Sequence, residues 1–460
     1  MMSRLTLLYR LFIYQRRYTM AYDSSSSSFN NSMSRRNLLQ QAGRGAVGLA
    51  AGLALPEVLA ACGGGGSSGG TGSGGSKQLT VAYWSNVTPA QDLQAVFDGF
   101  AKQAGVKVTY FQEPQVFGDT VQKLTTYLSS GYSGLDVLWI DDFMTATFSN
   151  AGWLVPLDNV SKENFSAIAD AQLKLSTYND HKYRLPANFG SVIFFYRKDL
   201  FDKEGISVPT TWDELVAAGK KLTKNGVYGL SLAGKNGNTE LFNEMCYWMG
   251  QAGGDPLHMD SPGSRQALQF VHDLIHVHKI APPDAVTADY TSIQTSFENG
   301  KIAMWISWDG LYAGTAMFPS VAKNYKMGVA APPKGPKNNG TIIANWGWAI
   351  NKYSKNQDLA AKFIDYASSL QSEITLAKTG STPSRTDALT NPDVQKALIQ
   401  ATYLADYVKN VELHYRPITA HAQRVSDAFE QVVNKYLNNQ IDLDACVTQG
   451  KQAVDQAMQG

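Results

Sequence analysis

Several groups of residues have types and spacings that could support chemistry. His272 and His276 stand four apart in His272-Asp273-Leu274-Ile275-His276, with His278 nearby. On a helix this places two imidazoles on one face, as in zinc hydrolases, but with aspartate where that mechanism uses a glutamate base. Such a pair on an amphipathic helix is ordinarily a solvated face. Asp141 and Asp309 offer a second chemistry. Glycoside hydrolysis needs two carboxyl groups about 5–5.5 Å or 6.5–9.5 Å apart across one bond. No P-loop, dinucleotide fingerprint or nucleophile elbow is present in the sequence.

Cys62 carries a different chemistry. It closes Leu59-Ala60-Ala61-Cys62, and residues 63–76 that follow are all Gly, Ser or Thr. Upstream stand Arg35 and Arg36, then a mildly apolar run at 45–55 that is rich in Gly and Ala. Positive charge, an apolar run and small residues at a cleavage point make a signal peptide. Paired arginines before a weak apolar core resemble the twin-arginine export route. The Cys62 segment resembles the lipobox of bacterial lipoproteins, with Cys62 as the lipidated first mature residue. The alternative, an uncleaved anchor helix, conflicts with a run shorter than the about 20 apolar residues that span a bilayer. A Gly/Ser tether of this length reaches roughly 20 Å. Residues 1–32 do not fit a signal, and the leader reads better from Met33 or Met20 than from Met1. The expected location is the outer face of the bacterial cytoplasmic membrane, where neither cytosolic ATP nor NADH is at hand.

From Cys62 onward there are 399 residues, enough to favour two domains over one core. This part has 33 basic and 37 acidic residues, a net charge of −4, which argues against a nucleic-acid partner. Nine Trp and 22 Tyr can be core or can line a groove for a ligand with flat apolar faces. Cys246 and Cys446 are too few for a disulfide framework; outside the cytosol they can pair, and free, buried thiols are the favoured expectation.

The elements that must position these groups follow from periodicity. Strands are expected at 79–83, 106–111, 136–140, 192–196, 228–232, 302–307 and 327–331, with a strand-like stretch from 342 to 350. Helices are expected at 89–104, 118–130, 213–223 (capped by Thr211), 239–250, 264–278, 358–369, 420–437 and 443–458. Alternating strands and helices indicate α/β sheets, which bind ligands at the carboxyl ends of their strands. Trp84 and the Asp141-Asp142 pair stand at such ends.

Four segments in order resemble the family 1 extracellular solute-binding proteins, the sugar-binding components of ABC importers. They are Asp136-Val137-Leu138-Trp139-Ile140-Asp141-Asp142 running on to Trp153-Leu154-Val155-Pro156-Leu157; Tyr183-Arg184-Leu185-Pro186 with Phe195-Tyr196-Arg197-Lys198-Asp199-Leu200 and Pro209-Thr210-Thr211-Trp212; Gly300-Lys301-Ile302-Ala303-Met304-Trp305; and Asn345-Trp346-Gly347-Trp348-Ala349-Ile350. The family usually has glycine where Asn345 stands. The resemblance implies an α/β fold of the two-lobed periplasmic-binding-protein type (type II), with sugar held between lobes joined by a hinge. The implied plan is lobe 1 at 77–187 plus about 348–380, and lobe 2 at 188–347 plus about 381–460. Residues 1–61 would be leader and 62–76 tether.

A sugar presents hydroxyls at its edge and C–H groups on its faces, so its site needs carboxylates, amides and aromatic rings. On that basis Asp141 and Asp142 are edge acceptors, one in the cleft and one at the rim because neighbouring carboxylates repel. Asp309 is a hydroxyl clamp beside the stacking face of Trp308. Trp84, Trp248, Arg385 and Arg416 are further contacts, the arginines by forking onto vicinal hydroxyls. The resemblance adds Asn188 and Phe189 at the hinge, and Trp346 with Gly347 at the return. The implied protein is a monomeric, lipid-anchored receptor that closes on a sugar or oligosaccharide and delivers it to an ABC permease. It is not an enzyme and needs no metal or cofactor; a secreted glycosidase and a His272/His276 metal-dependent hydrolase are the alternatives.

Overall fold

The computed structural model describes residues 77–83, 90–114, 116–311, 325–398, 401, 404–405, 407 and 409–459. The leader, Cys62, the tether and Trp84 lie outside the described residues.

Two sheets organise the described chain. The first has the order β2-β1-β3-β12-β6, built from β1 (Gln78–Tyr83), β2 (Lys107–Gln112), β3 (Val137–Asp141), β12 (Trp346–Ile350) and β6 (Leu185–Pro186). β1, β2 and β3 are parallel, and β12 runs antiparallel to β3, pairing Trp346 with Asp141 and Trp348 with Trp139. β3 is buried along its whole length, as expected of a strand covered on both faces. Helices Ala90–Ala104 and Gln357–Ala367 place Phe97, Phe100 and Phe363 in this core, where Trp139 and Trp348 meet edge to face at 4.2 Å. A short hairpin, β4 (Thr177–Tyr178) and β5 (His181–Lys182), stands apart.

The second sheet has the order β13-β11-β7-β9-β8, with β10 also paired to β7. Its strands are β7 (Gly190–Arg197), β8 (Tyr228–Ser231), β9 (Ile302–Trp308), β10 (Met327–Ala330), β11 (Thr341–Ala344) and β13 (Leu413–His414). β8 and β9 are parallel, so Ser231 and Trp308 stand at the same end. Helices Trp212–Leu222, Glu240–Gln251, Pro262–His276 and Ala422–Leu437 share a core with this sheet. Thr211 caps the first of these by accepting from the Glu214 N–H. Cys246 and Cys446 are free and buried in the same core.

The stretch 342–350 reads as one strand by pattern, yet it is two strands in two sheets. β11 belongs to the second sheet and β12 to the first, and Asn345 alone separates them. Periodicity detects extended apolar backbone but cannot tell which sheet supplies its partners. The chain passes the other way across 187–189, between β6 and β7. A third segment, 381–385, runs beside the 187–189 passage. Phe189 N–H donates to Thr382 O (3.0 Å), and Ser384 Oγ donates to Pro186 O (2.9 Å). Helices 386–389 and 392–397 then pack on Leu370–Ala377, which lies against Ala90–Ala104 of the first sheet's core. The expectation that helices from 381 onward pack largely on the second lobe does not extend to these two. The final two helices do pack there, because their apolar faces carry Val425, Phe429, Val433 and Val454 into that core.

Candidate functional site

The carboxyl ends of β1, β2 and β3 in one sheet and of β8 and β9 in the other are where an α/β fold of this kind exposes ligand-binding groups. In the first sheet β2 ends at Gln112, and the next residue, Glu113, is 2% exposed. Among the described residues neither carboxyl oxygen of Glu113 has a hydrogen-bond partner, and burial holds its pKa well above the usual carboxylate range. A buried acid without a donor is costly unless something else satisfies it. Nothing in Phe111-Gln112-Glu113-Pro114 marked this residue in the sequence. The available signal was its place: an acid that ends a parallel strand, held there by a proline that cannot continue the ladder.

In the second sheet β9 ends at Trp308, which is half-buried. A Cβ on Gly190 would come 3.1 Å from Ala344 O, so glycine eases the close approach of β7 to β11, while the Trp308 indole lies at ordinary contact distance (3.7 Å). Burial raises the Tyr290 hydroxyl well above its usual pKa, with Trp308 opposing the shift. Glu240 and Glu244 stand near that tyrosine, and burial pushes them to about 7 and about 8. Glu240 accepts from Tyr290 N–H at 2.6 Å; Glu244 accepts from Trp248 Nε1 at 3.3 Å. Between the sheets runs a line of rings: Phe242 to Phe143 (6.1 Å), Phe143 to Phe117 (6.3 Å) and Phe117 to Trp346 (6.1 Å). Trp346 retains 8% exposure, and its N–H donates to Asn188 Oδ1 at 2.6 Å.

Several expected ligand contacts are instead held by the protein. Asp141 and Asp142 do not divide into cleft and rim. Both are buried, and the Arg416 guanidinium donates to both, at 2.6 and 2.5 Å. Asp141 also caps helix Asp142–Asn150 by accepting from Phe143 N–H. Burial pushes Asp141 up to about 6, with Arg416 opposing the shift. Arg184, also buried, donates to Asn345 O (2.9 Å) and Thr145 Oγ1 (3.0 Å), and burial lowers its pKa to about 10. Arg416 is therefore engaged by two acids of the protein itself.

Asp309 has no exposed surface. It accepts from Ser191 N–H and from Thr382 Oγ1, both at 2.8 Å, and burial pushes it up to about 6. Arg385 makes paired bonds to Asp387 (2.9 and 2.8 Å) and reaches Asn164 and Ser368 O, so it braces the third segment. Trp248 is 1% exposed, edge-on to Trp212 at 5.4 Å, and Tyr247 is equally enclosed. Phe189 is buried in a cluster with Ile193 and Trp305. Gly347 serves close strand approach, since a Cβ there would lie 2.5 Å from Leu185 O. Asn345, the departure from the family's glycine, is buried, with its N–H on Asp142 Oδ1 (3.0 Å) and its carbonyl on Arg184 and Asp142 N–H.

The histidine pair has structural partners too. His276 Nε2 bonds Leu437 O at 2.7 Å, and His272 Nε2 bonds Asn439 Oδ1 at 2.8 Å, at the end of helix Ala422–Leu437. Among the described residues no group of His, Cys, Asp and Glu could hold a metal ion.

The sequence profile of bacterial extracellular solute-binding proteins matches residues 84–373. The chain belongs to that family. Among its relatives, the mannitol-binding protein of Pseudomonas aeruginosa is 26% identical over 317 residues, covering 64% of this chain and 70% of that protein. The erythritol/L-threitol-binding protein of Mycolicibacterium smegmatis is 25% identical over 390 residues, covering 76% and 80%. The solute-binding fold is also that of solved structures. The maltose-bound T. maritima MalE3 superposes with a TM-score of 0.74 at 24% identity, covering 82% of this chain and 99% of that one. An Agrobacterium vitis ABC transporter solute-binding protein with bound D-mannitol gives 0.69 at 26% identity, covering 83% and 98%. The solute-binding family and these neighbours give no support to either hydrolase reading.

Proposed function

We propose that this solute-binding protein captures an uncharged polyhydroxylated compound, a sugar or a polyol, outside the cytoplasm and delivers it to an ABC permease. The observation that carries the reading is Glu113: a buried carboxyl group at a strand end, without a hydrogen-bond partner among the described residues, in a family of extracellular solute binders. Kept protonated by burial, it offers one acceptor oxygen and one O–H donor to neighbouring hydroxyls. Trp308 and Trp346 supply flat apolar faces for C–H groups. Relatives that bind mannitol, erythritol or maltose favour this ligand class. The net charge of −4 after Cys62 disfavours anionic ligands. Trp84, Asn188, Trp308 and Trp346 remain proposed contacts from the sequence reading; Glu113 and Tyr290 join them.

Capture requires that ligand touch both lobes, because a ligand drives closure only through its greater affinity for the closed state. The protein acts as a monomeric receptor without catalysis. Arg35-Arg36 directs export by the twin-arginine route, and Cys62 carries the lipid that tethers the receptor to the membrane's outer face. The deciding experiment is a thermal-shift screen of the full chain against mannitol, erythritol, maltose and related compounds. A hit that raises the melting temperature, shifts tryptophan fluorescence and leaves the compound chemically unchanged supports the reading. No hit across the panel, or release of new reducing ends, would sink it. Cys62→Ser should move the protein from the membrane fraction to the soluble one.

A further inference from the structure

Four Asn-Gly pairs occur in the chain: Asn225-Gly226, Asn236-Gly237, Asn299-Gly300 and Asn339-Gly340. An asparagine followed by glycine readily loses its side-chain amide, because no β-carbon shields the next backbone nitrogen. That nitrogen, once deprotonated, attacks the asparagine side-chain carbonyl carbon. A C–N bond forms, ammonia leaves, and a five-membered succinimide ring results. Water then opens the ring at one carbonyl or the other, giving aspartate or isoaspartate. The balance is one water consumed and one ammonia released.

The attacking nitrogen must be free, and in three of the pairs it is engaged. Gly237 N–H donates to Glu430 Oε2 at 2.7 Å, Gly300 N–H to Phe297 O at 2.9 Å, and Gly340 N–H to Asn338 Oδ1 at 2.8 Å. Each bond holds the proton on the nitrogen and must break before attack. Asn225 and Gly226 differ. They are the central residues of a two-residue turn closed by Lys224 N–H to Val227 O (3.1 Å) and Val227 N–H to Lys224 O (3.0 Å). Both have left-handed backbone, with φ of +55° and +77°, as in the type I′ turns that Asn-Gly favours. Both are exposed, and Gly226 N–H has no hydrogen-bond partner among the described residues. We propose that Asn225 is a modification site, the Asn-Gly asparagine that converts first to aspartate and isoaspartate. The product brings a negative charge into the turn between helix Trp212–Leu222 and β8, and isoaspartate also lengthens the backbone there by one methylene. The turn precedes the amino end of β8, whereas Ser231 ends that strand beside the carboxyl end of β9. Reaction at Asn225 should therefore leave ligand capture unaltered, and the proposal stands apart from the ligand reading.

The test ages the folded full chain at mildly alkaline pH and follows mass by peptide mapping. Trypsin cuts after Lys224, Lys235, Lys279 and Lys337, so the four pairs fall in four separate peptides. The peptide beginning at Asn225 should gain the one-dalton mass of deamidation at least about fivefold faster than the other three pairs, the ratio set by one hydrogen bond that need not break. In denaturant the four rates should converge, because only folding distinguishes the pairs. Asn225→Gly, which also accepts the left-handed backbone, should abolish the gain in its peptide. Glu430→Ala frees Gly237 N–H and should speed the reaction at Asn236 about fivefold. Should that variant fail to fold, Asn338→Ala does the same for Gly340 N–H and Asn339. A faster rate at any other pair in the folded chain, or the same ranking in denaturant, would overturn the proposal. Because no ligand is used, an empty sugar screen removes the ligand reading without altering this result.

Discussion

Glu113 and Asp309 are both buried carboxylates just beyond the carboxyl end of a strand, one in each sheet. Asp309 holds two donors at 2.8 Å, from Ser191 and Thr382; Glu113 holds none. The same chemical group at equivalent places therefore does different work. A buried acid whose oxygens are already filled by backbone and hydroxyl donors organises the fold around it. One without donors is left to be neutralised by a proton or satisfied by a group that enters. Local sequence draws attention to Trp308-Asp309-Gly310, which looks like a binding loop, and not to Glu113, at an unremarked strand end.

The largest expected effect tests the filled acid. Asp309→Ala orphans the Ser191 N–H and the Thr382 hydroxyl, and should lower unfolding free energy by about 2–4 kcal/mol in guanidinium titrations. A loss under about 0.5 kcal/mol would mean the two bonds do not hold the hinge. Next comes the empty acid. Glu113→Ala should weaken binding of whichever panel compound is a hit by about 10- to 30-fold in calorimetry, the scale of losing one or two hydrogen bonds to a buried neutral acid. Its stability should hold or rise, since an unpaired buried acid is removed. Unchanged affinity would dissolve the contrast. Trp308→Ala should cost about tenfold in affinity and remove most of the ligand-induced fluorescence change. Trp248→Ala, by contrast, should destabilise the second core and leave the affinity of the folded protein intact.

The smallest effect is a slope with pH. Burial raises Glu373 from 4.5 to about 8. Between those values the folded chain binds this proton more tightly than the unfolded chain does. Stability contributed by the group therefore falls as pH rises from about 4.5 to 8. Glu373→Gln should flatten the decline in denaturation midpoint across that window. An unaltered slope would place the titration elsewhere, with Glu244, which burial also raises to about 8, as the next group to replace.

Much of the architecture is legible in local pattern. The helix 213–223 has its Thr211 cap, 136–140 its unbroken apolar run, and 422–437 its amphipathic stripe, all written in neighbouring residues. Hydrogen bonds and burial within an element depend on residues a few positions apart, so periodicity reports them. The division of 342–350 between two sheets was not legible, because both halves are extended and apolar and differ only in distant partners. Arg385 and Arg416 read as possible sugar forks because an arginine's type does not disclose what it will meet.

The chain's order of residues was enough to point to α/β sheets and to the family. Which acids are filled by the protein's own donors was decided by folding alone. Asp309 meets donors 118 and 73 positions away, and Asp141 meets its arginine 275 positions away, while Glu113 meets no donor among the described residues. A carboxylate's role is set by the groups that arrive at its oxygens, and those arrive through tertiary packing rather than sequence proximity.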